Sequence, residues 1–310
     1  SSDAELNLMA AEALAKAGKE AIAALTNLLT PPNTRLPAVR ALAQMDDVET
    51  VEPLLQVIDD PDPEIRSLAL EALGRFPDPR ILPVLLNGLN DPATPVKRAA
   101  IASVGTLPVA ASSDLVERLG KCLYDLNLDL CRQAAIALGR LDHPEALTQL
   151  LQVFNSPLTP LPLQIETVRA ISWSGSAAAL RGLAQRLASS DALDPNLCQE
   201  MIMALGRWHH SALKPDAAQI LLNLLASNHP ATQTPELKQA IALALGYLGQ
   251  ADAIAPLAQL LADPDPGVRL HTIAALKTLN APAAHQYLNH LVEQPNLPRA
   301  MQQGITIALQ

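Results

Sequence analysis

The most regular feature of the sequence is an apolar helical stripe that recurs along the whole chain. In the segments 65–76 and 130–141, apolar and small residues stand three or four positions apart, and each segment closes on Leu-Gly-Arg followed by an apolar residue. This spacing places the apolar side chains on one face of an α-helix. With the Gly taken as an anchor, equivalent positions recur every 31 to 40 residues, at Ala43, Gly74, Gly105, Gly139, Ser172, Gly206, Gly246 and Lys277. Such a period predicts a repeat of two helices.

Positions counted from the anchor separate the predicted core from the predicted surface. The residue immediately before the anchor is always aliphatic, and the residue two before it is always small. A small side chain lets neighbouring helices approach closely, and a Gly at the anchor fits either close packing or the end of a helix. The small position is held by Ala41, Ala72, Ser103, Ala137, Ala170, Ala204, Ala244 and Ala275.

A first helix is predicted before each of these second helices. Asp-Pro pairs punctuate the joints, as at residues 60–63 and 263–266, and Asp can cap the helix that follows while Pro is tolerated in its first turn. The sequence therefore predicts an all-α fold. First helices are predicted at Val51–Ile58, Ile81–Leu89, Leu115–Tyr124, Leu147–Phe154 and Ile254–Leu261.

Composition and charge support the helical prediction and exclude several classes of function. Apolar residues make up 49% of the chain but aromatic residues only 2%, which disfavours a β-sandwich or barrel core. A net charge of −9 disfavours a nonspecific surface for nucleic acid or anionic membranes, and no long uncharged apolar run predicts membrane insertion. Three widely spaced cysteines, Cys122, Cys131 and Cys198, give no disulfide framework and favour a reducing, cytoplasmic location.

The joint and anchor motifs resemble those of the HEAT repeat. Asp-Pro-Asp-Pro-Glu-Ile-Arg at 60–66, leading to Ala-Leu-Gly-Arg at 72–75, is similar to the short HEAT repeat of phycobilisome lyases and related cyanobacterial proteins. The pattern returns at 263–269, whereas Cys131, Gln164 and Cys198 stand where the family has Arg. The resemblance implies a right-handed α-solenoid of about nine HEAT-like repeats with its second helices on the concave side.

The same resemblance covers nearly the whole chain, and we expect residues 1–310 to form a single solenoid with a leading half repeat at 4–16. That segment and the apolar end at Ile305–Leu309 both lack a polar capping repeat. We therefore expect the chain to be a fragment of a longer array.

The sequence offers little catalytic or metal-binding chemistry. It contains no Gly-rich phosphate loop, nucleophile elbow or paired-Cys zinc motif. The HEAT-type hydroxylase family implies His-Glu pairs as iron ligands, and the sequence has none. His209, His210 and His229 do not have the spacing of a metal site, and Cys131 and Cys198 lie two repeats apart. We therefore predict no metal and no cofactor.

Charged residues sort between the two helices of the repeat. Most of the 22 basic residues lie in the second helices or at their ends, whereas acidic residues crowd the first helices and loops. The concave side is therefore expected to be more positive than the net charge. We interpret Arg66 and Arg269 as a structural ladder that bonds loop aspartates of adjacent repeats.

One surface patch is predicted where two positions of the second helix share a face. The positions three before and one after the anchor are four residues apart and hold residue types enriched at the centres of interfaces. Arg–aromatic packing between repeats is the alternative interpretation. Trp208, one position further along, is predicted to be core. The patch comprises Ile136, Arg140, Arg169, Trp173, Met203, Arg207, Leu243 and Tyr247.

These features favour a noncatalytic scaffold that binds protein partners on its concave face. The resemblance implies phycobilisome or photosynthetic partners. It also implies an enzymatic alternative, a bilin lyase subunit that transfers a tetrapyrrole to a Cys of a phycobiliprotein. In that case Arg140, Arg169 or Arg207 would pair with the propionates, and Trp173 or Tyr247 would stack on the chromophore. A metal- or Fe–S-carrying adaptor that uses the cysteines is the second alternative.

Overall fold

The structure is a computed structural model that describes residues 9–107, 112–189, 193–227, 234–279, 281–294 and 297–310, apart from residues 12 and 15. Within these ranges the regular secondary structure is helical, and they contain no β-strand. The predicted leading half repeat at 4–16 lies partly outside the described residues. The all-α prediction is confirmed.

The helices alternate between first and second helices of successive repeats, numbered α1 to α18 here. The first helices are α1 (Ile22–Asn27), α3 (Val51–Leu55), α5 (Ile81–Gly88), α7 (Ser113–Cys122), α9 (Pro144–Asn155), α11 (Ala177–Leu187), α13 (Lys214–Ala226), α15 (Ile254–Leu260) and α17 (Ala281–Val292). The second helices are α2 (Pro32–Gln44), α4 (Pro63–Leu73), α6 (Thr94–Val104), α8 (Leu128–Arg140), α10 (Leu161–Trp173), α12 (Pro195–Gly206), α14 (Pro235–Leu248), α16 (Pro266–Thr278) and α18 (Arg299–Leu309). The described residues contain nine second helices, in agreement with the prediction of about nine repeats. The predicted first helices differ from the observed ones by only a few residues.

Aspartate and proline begin the second helices as the joint motifs predict. Asp62 accepts a hydrogen bond from the backbone N–H of Glu64 at 2.8 Å, and Asp265 accepts one from Val268 at 2.8 Å. Each bond satisfies one of the backbone donors that a helix leaves free at its first turn. Pro63 and Pro266 occupy the first helical position, where a missing N–H costs little.

The chain divides into two compact units, Ser1–Leu150 and Leu151–Gln310. In the first unit the second helices α2, α4, α6 and α8 contact one another in chain order. In the second unit α10, α12, α14, α16 and α18 do the same. First helices pack against the second helices of their own repeats, as α5 does against α6 and α13 against α14. Each unit is therefore a stack of two-helix repeats, as in a solenoid.

The small position two before the anchor lies in the contact between consecutive second helices. All eight of its residues are buried, and so are all eight residues immediately before the anchor. The anchor Gly of one helix faces the small residue of the next. A methyl group on Gly105 would lie 3.1 Å from Cβ of Ala137, and one on Gly246 would lie 2.9 Å from Cα of Ala275. The Gly anchors at these positions therefore allow close packing, which is one of the two roles predicted for them.

Candidate functional site

The position one after the anchor is exposed in all eight repeats that contain it, and together with the position three before the anchor it marks what we call the second-helix face. In the first unit it holds Gln44, Arg75, Thr106 and Arg140, and in the second unit Trp173, Arg207, Tyr247 and Thr278. Trp173 is 44% exposed and Tyr247 is 57% exposed. Large aromatic side chains that face solvent at a repeated position need an explanation, because burial of such rings is strongly favourable.

The position three before the anchor borders these residues on the same helix face. Arg169 is exposed there, whereas Ile136, Met203 and Leu243 are half-buried. Ile136 and Arg140 belong to the first unit. The other six predicted patch residues belong to the second unit, where they lie in pairs on α10, α12 and α14, with Arg207 as the C-cap of α12, and these helices contact one another in that order. These six therefore share the second-helix face of the second unit.

One patch residue is already engaged in an ion pair. Arg169 donates from Nε to Oε1 of Glu200 at 3.0 Å and from Nη2 to Oε2 of Glu200 at 2.9 Å. The hydrogen bond to this carboxylate raises the pKa of the Arg169 guanidinium above its ordinary value. Such a two-point pair occupies the edge of the guanidinium that would hold a ligand carboxylate. Arg140 and Arg207, by contrast, make no ion pair within the described ranges of the chain.

The sequence interpretation missed two exposed apolar residues of the second-helix face. Leu270 on α16 is 65% exposed, and Ile307 on α18 is 47% exposed. Ile307 precedes the buried Ala308, which is the small position of the last repeat. Extending the repeat register to that helix would have found it. Leu270 lies one helical turn before the first of the two patch positions, on the same face of its helix.

The second tryptophan lies in the core, as the repeat register predicted. Trp208 is only 2% exposed and is among the largest fully buried side chains. Its indole Nε1 has no hydrogen-bond partner within the described part of the chain. The two tryptophans thus occupy opposite environments within one unit.

Basic residues at the fourth position of the second helices form a ladder of interactions with the loops. Arg66 on α4 donates from Nε and Nη2 to the two carboxylate oxygens of Asp91, both at 2.9 Å. Lys97 donates to Asp125 at 2.7 Å, and Lys238 donates to Asp263 at 2.7 Å. The carboxylates come from the loop before the next second helix, so each bond ties adjacent repeats together.

Arg269, the other predicted member of this ladder, lacks its carboxylate. Its bonds within the described residues go from Nη1 to the carbonyl oxygens of Asp263, at 2.7 Å, and Pro264, at 2.9 Å. The expectation that it bonds a loop aspartate of the adjacent repeat is therefore corrected. The loop before α18 contains no aspartate; it holds Glu293, which makes no ion pair within the described residues, and the amides Gln294 and Asn296.

The cysteines at this ladder position are packed rather than reactive. The Sγ of Cys131 donates to the carbonyl oxygen of Asp125 at 3.1 Å. Burial raises the pKa of Cys122 to about 11 and also raises the pKa of Cys131 and of Cys198. The part of the chain that the structure describes contains no group of three His, Cys, Asp or Glu side chains placed to hold a metal ion.

A shallow groove of about 420 Å³ lies between the first helices α11 and α13 of the second unit. It is mainly apolar, and none of its described lining residues is basic. A bilin bound there would find no cation for its propionates. The lining residues are Ala184, Leu187, Ala188, Ile220, Asn223, Leu224 and Ser227.

None of the helices among the described residues is both long and apolar enough to cross a bilayer.

The family model for HEAT repeats matches residues 22–105 and 231–309, together more than half of the chain. The model for the PBS lyase HEAT-like repeat matches residues 130–156. Among proteins with a curated description, none matches this sequence.

Several solved structures are similar to this chain at low sequence identity, and the first two described here share its fold. The Escherichia coli protein YibA matches over 87% of this chain and 94% of its own, with 18% identity and a TM-score of 0.52. Yeast importin-beta (Kap95p) matches over 93% of this chain and 44% of its own, with 16% identity and a TM-score of 0.52. The CpcE–CpcF complex of phycocyanin lyase from Nostoc matches over 84% of this chain and 94% of the other, with 17% identity and a TM-score of 0.42. From its repeat motifs, its stacked helix pairs and the extent of the model match, the chain belongs to the HEAT-repeat family.

Proposed function

We propose that this protein is a noncatalytic scaffold that binds a protein partner on the second-helix face of the Leu151–Gln310 unit. The observation that carries the proposal is the exposure of Trp173 and Tyr247 at one repeated position, in two repeats that flank the repeat of Arg207. Aromatic side chains that anchor protein interfaces are large, rigid and surrounded by a rim of smaller contacts. The half-buried Met203 and Leu243 beside them supply such a rim.

Charge on this face supports a partner with acidic groups. Arg207 on α12 and Lys277 on α16 are exposed and make no ion pair within the described residues. Glu200 on α12 is held by Arg169. Two unpaired cations therefore lie on this face, although the exposed Glu236 at the start of α14 adds a negative charge and the whole chain carries a net charge of −9. Positive charge at a rim attracts an acidic partner and sets the orientation of binding.

A bilin lyase subunit is the second candidate, because the PBS lyase HEAT-like repeat model matches residues 130–156. Arg140 lies in that segment, and its exposed guanidinium could pair with a propionate. Two features weigh against this function. Arg169 has its hydrogen-bonding edge filled by Glu200, and the aromatic side chains lie on an open surface instead of in an enclosed pocket. Bound tetrapyrroles need a concave site that covers most of their surface.

The test is affinity isolation from extract of the native cell, with the immobilised chain as bait and quantitative mass spectrometry as readout. We expect one partner to be retained by the wild type and depleted about fivefold or more by Trp173→Ala, the scale of about 1–3 kcal/mol for a central anchor. Gln185→Ala is the matched control, because Gln185 is exposed on the first helix α11 of the same unit. A partner retained equally by all three proteins would contradict the scaffold site.

A second measurement separates the two candidate functions. The purified chain is mixed with a linear tetrapyrrole, and its absorption spectrum is compared with that of the free pigment. A scaffold leaves the spectrum unchanged. A red-shifted, Arg140-dependent spectrum would favour the lyase instead.

A further inference from the structure

Arg66 shows how backbone carbonyls of this fold orient a guanidinium so that it can bind a carboxylate. Its Nη1 donates to the carbonyl oxygens of Asp60, at 2.6 Å, and Pro61, at 3.1 Å, in the loop that precedes its own helix. These two bonds fix one side of the planar group. The opposite edge, Nε with Nη2, then presents two parallel donors, and Asp91 from the next loop accepts both at 2.9 Å. The side chains of Arg66 and Asp91 are only 14% and 13% exposed.

Arg269 is held in the same way, but no described residue binds its second edge. Its Nη1 donates to the carbonyl oxygens six and five residues earlier, those of Asp263 and Pro264, as Arg66 does. Its Nε and Nη2 make no hydrogen bond within the part of the chain that the structure describes. Asp91 lies two residues before Ala93, the N-cap of α6; the equivalent position before Pro298, the N-cap of α18, is Asn296, which lies outside the described residues.

The nearby carboxylates of the same loop are already engaged. Asp263 accepts from Lys238 at 2.7 Å and from the backbone N–H of Asp265 at 2.9 Å. Asp265 accepts from the N–H of Val268 at 2.8 Å and from Gln239 at 3.3 Å. Neither loop carboxylate therefore neutralises the free edge of Arg269.

We propose that the Nε–Nη2 edge of Arg269 is a docking site for a carboxylate from a protein partner, an aspartate or glutamate side chain. A planar guanidinium binds a carboxylate through two parallel charge-assisted bonds, and a guanidinium already held in place loses little conformational freedom on binding. Leu270, the next residue, is 65% exposed and offers an apolar contact beside the ion pair. This site does not depend on the proposed role of Trp173 and Tyr247, so either can fail alone.

The test uses the full-length chain with ¹⁵N-labelled arginine and follows each Nε–Hε signal by NMR. The probe is an acetylated and amidated peptide that copies residues 89–95, Leu-Asn-Asp-Pro-Ala-Thr-Pro, the segment whose aspartate binds Arg66. The control peptide carries Asn in place of its Asp. Assignment comes from the loss of one signal in Arg269→Lys. We expect the Arg269 signal to shift towards saturation with a Kd on the order of 10 mM, as a single ion pair gives.

Three further results define the outcome. The Arg66 signal should stay in place because Asp91 already occupies that edge, and the Asn peptide should produce no shift. If the exposed Arg207 responds as strongly as Arg269, the binding is nonspecific charge attraction and the proposal is overturned. It is also overturned if the Arg269 signal does not move, or if inorganic phosphate at equal ionic strength binds more tightly than the peptide, since the site would then select phosphate.

Discussion

Gly206 on α12 faces Ala244 on α14 so closely that a methyl group in place of its hydrogen would lie 2.6 Å from both Cα and Cβ of Ala244. The neighbour is backbone, which cannot rotate away as a long side chain can. The pair occupies the anchor of one repeat and the small position of the next. The distance between consecutive second helices, and with it the spacing of the residues on the second-helix face, therefore depends on the absence of a side chain at Gly206.

Gly206→Ala is expected to destabilise the protein by about 1–3 kcal/mol, because the added methyl overpacks a contact between helices. Thermal or urea unfolding followed by circular dichroism measures the effect. Gly304→Ala is the control, since the atoms nearest to its added methyl belong to the Leu261 side chain, at 3.0–3.5 Å. We expect Gly304→Ala to be nearly neutral, because the higher helix propensity of Ala offsets the contact. Equal stability of the two variants would contradict close packing at the anchor.

Arg66→Ala is expected to lower stability by about 1–3 kcal/mol, because it removes two charge-assisted bonds and leaves Asp91 poorly solvated. Arg269→Ala should cost less, since Arg269 bonds only backbone carbonyls among the described residues. Urea unfolding of both variants provides the comparison. Equal losses would mean that the carbonyl bonds, which the two arginines share, carry most of the stabilisation.

Acidification should destabilise the wild type partly through Asp91. Burial opposes ionisation of this carboxyl, but hydrogen bonds from Arg66 and from the N–H of Ala93 outweigh it and hold the pKa below its ordinary value. A group with a lowered pKa in the folded state stabilises the protein above its unfolded pKa of about 3.9, and that contribution is lost as the pH falls through the folded pKa. We therefore expect Asp91→Asn to show a smaller fall in Tm than the wild type between about pH 5 and about pH 2. Parallel curves would contradict this assignment.

The native protein should react slowly with a thiol reagent at pH 8. Cys122, Cys131 and Cys198 are buried, and the pKa of Cys122 lies at about 11, so little reactive thiolate is present. We expect labelling roughly tenfold or more slower than in urea, where the three thiols become accessible. Fast labelling of the folded protein would show that the cysteines are exposed by a frequent local opening.

Much of the fold could be predicted from the sequence because the same contact between helices recurs from repeat to repeat. The small residue two before the anchor, as at Ala244, and the Gly of the preceding repeat that faces it, as at Gly206, can both be found by aligning the repeats with one another. The same register separated the exposed Trp173 from the buried Trp208. Each of these positions is set by its own helix, so no knowledge of distant residues was needed.

The interactions that the sequence did not reveal join different repeats. Arg169 pairs with Glu200, which lies 31 residues later at a different position of its helix, and a comparison of equivalent positions does not find such a pair. Arg269 matches Arg66 in its own repeat but differs in the loop that follows. The length of that loop varies between repeats, so the missing carboxylate was visible only once the geometry of the arginine was known.

Trp173 and Trp208 provide the sharpest test of the second-helix face, because they are the same residue type in one unit with opposite exposure, 44% and 2%. Trp208→Ala is expected to destabilise the protein by about 3–5 kcal/mol, since it leaves a large cavity in the core. Trp173→Ala should change stability by less than about 1 kcal/mol and weaken binding of the retained partner by about 1–3 kcal/mol. Thermal unfolding of both variants and partner binding by Trp173→Ala measure these effects. A Trp173→Ala variant that melts as early as Trp208→Ala would place Trp173 in the core. If Trp173→Ala melts and binds as the wild type does, Trp173 is exposed but the partner binds elsewhere on the chain.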